Sequence, residues 1–150
     1  MDEQTTQQQL AVWAAACAER VLGHFVRACA GDARPAKAID AVRKWADGQV
    51  PVSAARGAAA AANRAARETE DPAAKSAARA AGHAAATAHF AEHAAHAASY
   101  ARNAVVQASD SDEAAGDAEL EWQRSQLAEN LWPEAFPSVE VPRPPKAREG

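Results

Sequence analysis

Residues 89–93 read His-Phe-Ala-Glu-His, and His96 and Tyr100 follow within two further turns. On a helix, His89 and His93 would lie one turn apart. At that spacing two imidazoles can hold zinc while a carboxylate between them, Glu92, serves as general base of a hydrolase. Such a zinc needs a third protein ligand, and Asp117, Glu119 and Glu121 are the downstream acids on offer. His96 does not complete the set. It stands seven residues from His89, about 10.5 Å along a helix axis, too far apart for two Zn–N bonds of about 2.1 Å. At about 100° per residue, His89, His93, His96 and Tyr100 fall in a stripe about 60° wide. The plainer chemistry of that stripe is structural: a polar seam whose ring nitrogens meet partners on facing helices, because buried polar atoms need them. This reading is preferred, and with it no catalytic residue, no resident metal and no cofactor are expected. His83, about 120° off the stripe, and His24 read as packing histidines.

The element that must carry the stripe is alanine-saturated. From Ala73 to Ala104 the chain is built largely of alanine, the residue of highest helix propensity, and it reads as one long helix opened by Asp71-Pro72 and ending near Ser109. Alanine on nearly all sides predicts that this helix is central and buried, with its neighbours in close approach. The remaining helices are read from periodicity and punctuation. The first runs from about Thr6 to Ala30, with Leu10, Trp13, Cys17, Val21, His24 and Phe25 on one face and Leu22, Val26 and Cys29 on a second buried flank. The second opens at Arg34-Pro35 and stops at Gly48, with Ile39, Val42 and Ala46 inward. A third is capped by Ser53 and continues to about Glu68. A fifth follows a capping-box spacing at Asp110 and Glu113 and runs to about Leu131, where Trp132-Pro133 stops it.

Composition agrees with an all-α, single-domain antiparallel bundle of about five helices over residues 1–136. Residues 137–150, holding Pro137, Pro142, Pro144 and Pro145, are expected to form an extended or disordered tail. Val, Ile, Leu and Phe make up only 19 of 150 residues, so Trp13, Trp45, Trp122 and Trp132 must supply much of the bulk in a thin core. No run is apolar enough to span a bilayer, and the N-terminus MDEQTTQQQL has no basic or apolar leader, so a cytoplasmic protein is expected. Cys17 and Cys29 sit 12 residues apart on the first helix, about 18 Å, beyond the roughly 7 Å limit for a disulfide. They read as reduced, buried thiols.

Charge is uneven. Residues 1–109 carry net +2 and residues 110–150 net −6. The segment from Asp110 to Glu121 holds Asp110, Asp112, Glu113, Asp117, Glu119 and Glu121 with no base. These six are the candidate docking surface for a basic partner, by long-range attraction. The basic residues, among them Arg43, Lys44, Arg56 and Arg64, are scattered without interleaved aromatics, so nucleic acid is not an expected partner.

These segments resemble a family of immunity proteins associated with bacterial polymorphic-toxin systems. The first helix carries Trp13, Cys17, Ala18, Val21 and Leu22, and the second carries Arg34, Pro35, Ala38, Ile39, Arg43, Trp45 and Gly48. The long helix carries Ala81-Gly82-His83, Ala86-Thr87-Ala88-His89, His93 and Tyr100-Ala101, and the last helix Glu121-Trp122-Gln123 and Leu127. The resemblance spans about Leu10 to Leu131. Glu92 and His96 fall outside its pattern, which counts against the zinc hydrolase. The resemblance implies a protein that binds and neutralises a cognate toxin, with no assigned catalytic residues; because no reactive group is in view, stoichiometric occlusion is the expected mode, by a non-enzymatic monomer or homodimer. The alternatives are the zinc hydrolase and a structural helical adaptor.

Overall fold

Side-chain caps and first-turn prolines set most of the helix starts. The computed structural model describes residues 2–137, and every regular element among them is helical. Helix α1 (Glu3–Ala28) begins where the Asp2 carboxylate accepts the Thr5 N–H at 2.8 Å, a turn earlier than the sequence suggests. α2 (Arg34–Ala46) opens with Pro35 in its first turn, and Gly31 and Gly48, both at positive φ, mark the turns before and after it. α3 (Val52–Arg67) starts from Pro51, so Ser53 is not its cap. α4 (Pro72–Ala86) is capped by Asp71, whose side chain accepts the Ala74 N–H. α5 (His93–Ala108) and α6 (Glu113–Ser125) follow, then a 3-10 turn (Glu129–Leu131) and the short α7 (Trp132–Ala135).

The largest departure from expectation is that the alanine-rich segment is two helices. The chain leaves α4 at Thr87, turns through residues 87–92 and returns as α5. Ser76 meets Gln107, Arg79 lies over Tyr100 and His83 meets His93, so the two helices are antiparallel along their whole length. Neither glycine nor proline marks the break. Tertiary packing overrides propensity here: a straight 32-residue helix would be about 48 Å long, and its alanines beyond the reach of α1–α3 would face water. Folding back buries both halves against each other. At the turn, the Thr87 hydroxyl donates to the His83 carbonyl, and the Gln7 amide of α1 donates to the carbonyls of Thr87 and Ala88 at 2.9 and 3.0 Å, replacing lost helical donors.

The α4 half is the hub. Ten of its fifteen residues are buried, and it packs on α1, α2, α3 and α5. Bulk comes from Leu10, Trp13, Val21, Phe25, Ile39, Val42, Leu131 and Phe136, with Trp13 and Phe136 meeting edge-on at 5.4 Å. Trp45, Trp122 and Trp132 only flank this core, and Val26, expected inside, is 48% exposed. α6 stops at Ser125, short of Leu131, and Trp132-Pro133 opens α7 instead of ending a helix. Beyond Pro137, the tail expectation lies outside the described residues.

Gly82 measures how near α3 comes. A Cβ there would sit 2.5 Å from Asn63 Oδ1 and 2.9 Å from its Cγ. Gly82→Ala is therefore expected to destabilise the fold, because overpacking of about 1–3 kcal/mol exceeds the gain of about 1 kcal/mol in helix propensity. In an Asn63→Ala background the same change should become stabilising. Chemical denaturation of the four proteins measures this sign reversal; a stabilising Gly82→Ala in the unaltered background would show the helices to be further apart.

Candidate functional site

Breaking the helix reassembles the histidines. His93, His96 and Tyr100 keep their common face on α5, whereas His89 lies in the turn beside Phe90, ring centroids 4.0 Å apart. His83, which linear spacing set aside, now stands opposite. Its Nδ1 is 2.9 Å from the Nδ1 of His93, and its ring stacks on Tyr100 at 5.3 Å with only 9° between planes. His96 leans on the same ring at 5.2 Å, and the Arg79 guanidinium lies 6.0 Å from the Tyr100 centroid. The cluster is a surface feature and not a buried seam: His83, His93 and Tyr100 are half-buried, and His89 and His96 are exposed.

An Nδ1–Nδ1 distance of 2.9 Å is a hydrogen bond in which one imidazole donates and the other must be neutral. Burial, then the neighbouring His93 and His96, push His83 down to about 4, and burial with His96 lowers His93 as well. The cluster therefore favours neutral, mutually bonded rings. The H-x-x-E-H spacing, continuous on a helix, is interrupted here: His89 and Glu92 lie before α5 and only His93 is on it. Among the described residues no group of three or more His, Cys, Asp or Glu side chains is arranged to hold a metal ion. Cys17 is buried and unbridged, with burial and then Glu119 pushing its thiol far above its ordinary range, which leaves it unsuited to nucleophilic work. Cys29, half-buried at the end of α1, is also unbridged.

The acidic segment divides into two faces. Glu113, Asp117 and Glu121 stand at i, i+4 and i+8 on the exposed side of α6, with Asp110 and Asp112 exposed on the turn before it. Asp112, not Asp110, caps the helix, accepting the Ala114 N–H at 3.0 Å, while Asp110 and Ser111 adopt positive φ. Glu119 points the other way. It is buried and takes both its bonds from Arg20, at 3.0 and 3.1 Å, while the Arg20 guanidinium lies 4.2 Å over the Trp122 ring. One turn on, the buried Gln123 donates to the Ala98 carbonyl and accepts from Arg102, and its own carbonyl accepts the Trp13 indole N–H. Glu119 thus anchors α6 to α1 and is unavailable for docking. The sequence held the signal: at 100° per residue Glu119 lies about 200° from Asp117.

Sequence reasoning missed His83 as a partner, Gln7 as the clamp of the turn and Arg20 as the mate of Glu119. Each is a long-range contact with no mark in local spacing.

The model of the family described as "Imm-5 like putative immunity protein" matches residues 2–130, and the chain belongs to that family. No curated protein and no solved structure matches it.

Two outcomes follow. An unfolded chain takes up protons on its histidines below about pH 6.5, whereas the folded His83 resists until about 4. Stability should therefore be complete above pH 6.5 and fall as pH drops towards 4, by on the order of 2 kcal/mol. Thermal melts between pH 7 and 5 check this, and His83→Gln should flatten the slope; an unchanged slope would show that the pair does not hold its rings neutral. Second, Glu119→Lys should cost on the order of 2 kcal/mol, by breaking the Arg20 pair and placing two cations together. Asp117→Lys should cost almost nothing, and equal losses in urea denaturation would contradict the two-face assignment.

Proposed function

We propose that this chain is an immunity protein that works without catalysis, binding a cognate protein toxin one-to-one in the cytoplasm and covering the toxin's working surface. Family membership supports the role. One geometrical observation carries the mode. Glu113, Asp117 and Glu121 align on one outer stripe of α6, continued by Asp110 and Asp112; Arg124 lies near Glu121 at 3.7 Å, and Arg102 shares a surface hollow with Glu113 and Asp117. Like charges at i, i+4 weaken a helix by a few tenths of a kcal/mol per pair, so the stripe is a cost to folding that a basic partner would offset. Inhibition by occlusion requires a complementary surface and no reactive group.

The test is capture of the partner from the native host and co-expression with it, read as survival of the host, together with the stoichiometry of the purified complex. Reversing Glu113, Asp117 and Glu121 together should slow association about tenfold or more at low salt, shift the melting temperature little, and remove the salt dependence of the on-rate. Survival without a one-to-one complex would refute occlusion. Kinetics that ignore this reversal but collapse on reversing Arg56 and Arg64 would move the interface to the basic face of α3.

A further inference from the structure

The turn between α4 and α5 carries Phe90, which at 52% exposure is the most exposed large apolar residue described. A phenyl ring left in water is unfavourable, and exposed aromatics on rigid supports are the usual anchors of protein interfaces. This one is rigidly supported. The Ala86 carbonyl accepts both the His89 and Phe90 N–H groups, at 2.9 and 3.1 Å, the Gln7 amide holds the two preceding carbonyls, and the His89 ring lies against the phenyl. Beside the ring a groove of about 460 Å³ runs between the turn, the first two turns of α1 and α7. Among the described residues its charged lining side chains are Glu3 and Glu134, both exposed, and no lysine or arginine lines it. The neutral polar residues Thr6 and Gln7 also line it. The positive end of the α1 dipole opposes a cation, but Asp2 and Glu3 stand in that first turn and outweigh its half charge.

We propose that this groove receives an arginine side chain of the protein partner, its guanidinium laid on Phe90 and bonded to the carboxylates of Glu3 and Glu134. An aromatic face and two carboxylates suit arginine better than lysine, because the guanidinium is planar, weakly hydrated and stacks while still donating in its plane. The molecule builds the same unit internally: Arg20 sits 4.2 Å over Trp122 and gives two hydrogen bonds to Glu119. At the α4–α5 turn the aromatic and the acids are present, and among the described residues no arginine lines the groove; an arginine of the partner completes the unit. That the arginine belongs to a toxin rests on the immunity reading; the site itself does not.

The test titrates the full chain, isotope-labelled, with the peptide acetyl-Gly-Arg-Gly-amide and with its citrulline counterpart, which keeps the shape and loses the charge. Saturable shifts are expected at the Phe90 ring and at the Glu3 and Glu134 side-chain carbons. Affinity should fall about five- to tenfold in Phe90→Ala and in the Glu3→Gln, Glu134→Gln pair, and be retained in Phe90→Tyr. All these positions are exposed, so the variants should keep the native amide spectrum. Equal shifts from the citrulline peptide, shifts confined to Glu113, Asp117 and Glu121, or full affinity in Phe90→Ala would each overturn the proposal. Those results leave toxin neutralisation standing. A positive titration with no rescue in co-expression would instead leave a guanidinium site in a protein of another role.

Discussion

The rest of the structure depends on the closeness with which other helices pack on α4. Alanine and Gly82 line nearly its whole circumference, and Asn63 fills the space a Gly82 Cβ would need. Packing at this range gains many weak dispersion contacts in place of a few large buried side chains. It explains how a chain with so little Val, Ile, Leu and Phe forms a core, and why its bulky buried residues gather along α1 and α2 and at Leu131 and Phe136 instead of on the hub. Alanine also loses no rotamer freedom on burial, so ordering each residue costs less than in a leucine core.

The same constraint creates the candidate sites. Beside α2 and α3, of 13 and 16 residues, a straight 32-residue hub would leave many of its alanines uncovered; the chain turns instead, and the turn delivers His83 to His93 and Tyr100 while presenting Phe90 outward. The turn is not loose: the Gln7 amide spans from α1 to two of its carbonyls, tying the N-terminal helix to the α4–α5 hairpin. At the far end of α5 the chain turns again, and α6 is held back against α1 by Glu119 and Gln123, with Leu120 and Trp122 packed at the edge of the core.

What the sequence disclosed follows from what is local. Asp71 as a cap, Pro35 in a first turn, Gly31 and Gly48 at helix ends and the inward face from Leu10 to Phe25 are matters of a few adjacent residues, and they were legible. The break at residues 87–92 was not, because alanine propensity favours a helix there and only packing with distant segments opposes it. The stripe was half legible: His93, His96 and Tyr100 do share a face, but their principal partner, His83, arrives from ten or more residues away by way of the turn. Glu119 was legible in principle, by rotation about α6, and was obscured when the acids were taken as a run.

The way α6 is attached bears on how such a protein can diverge. Only Glu119 and Gln123 of α6 are buried, and their bonds go to Arg20, Ala98, Arg102 and Trp13. Residues 113, 117 and 121 share none of these bonds, so a lineage can exchange them singly, each step soluble and folded, while the inner pair keeps the helix in register. If the acidic stripe docks the partner as proposed, partner choice and foldability are written in different residues of one thirteen-residue helix, and selection can act on the first without trespassing on the second.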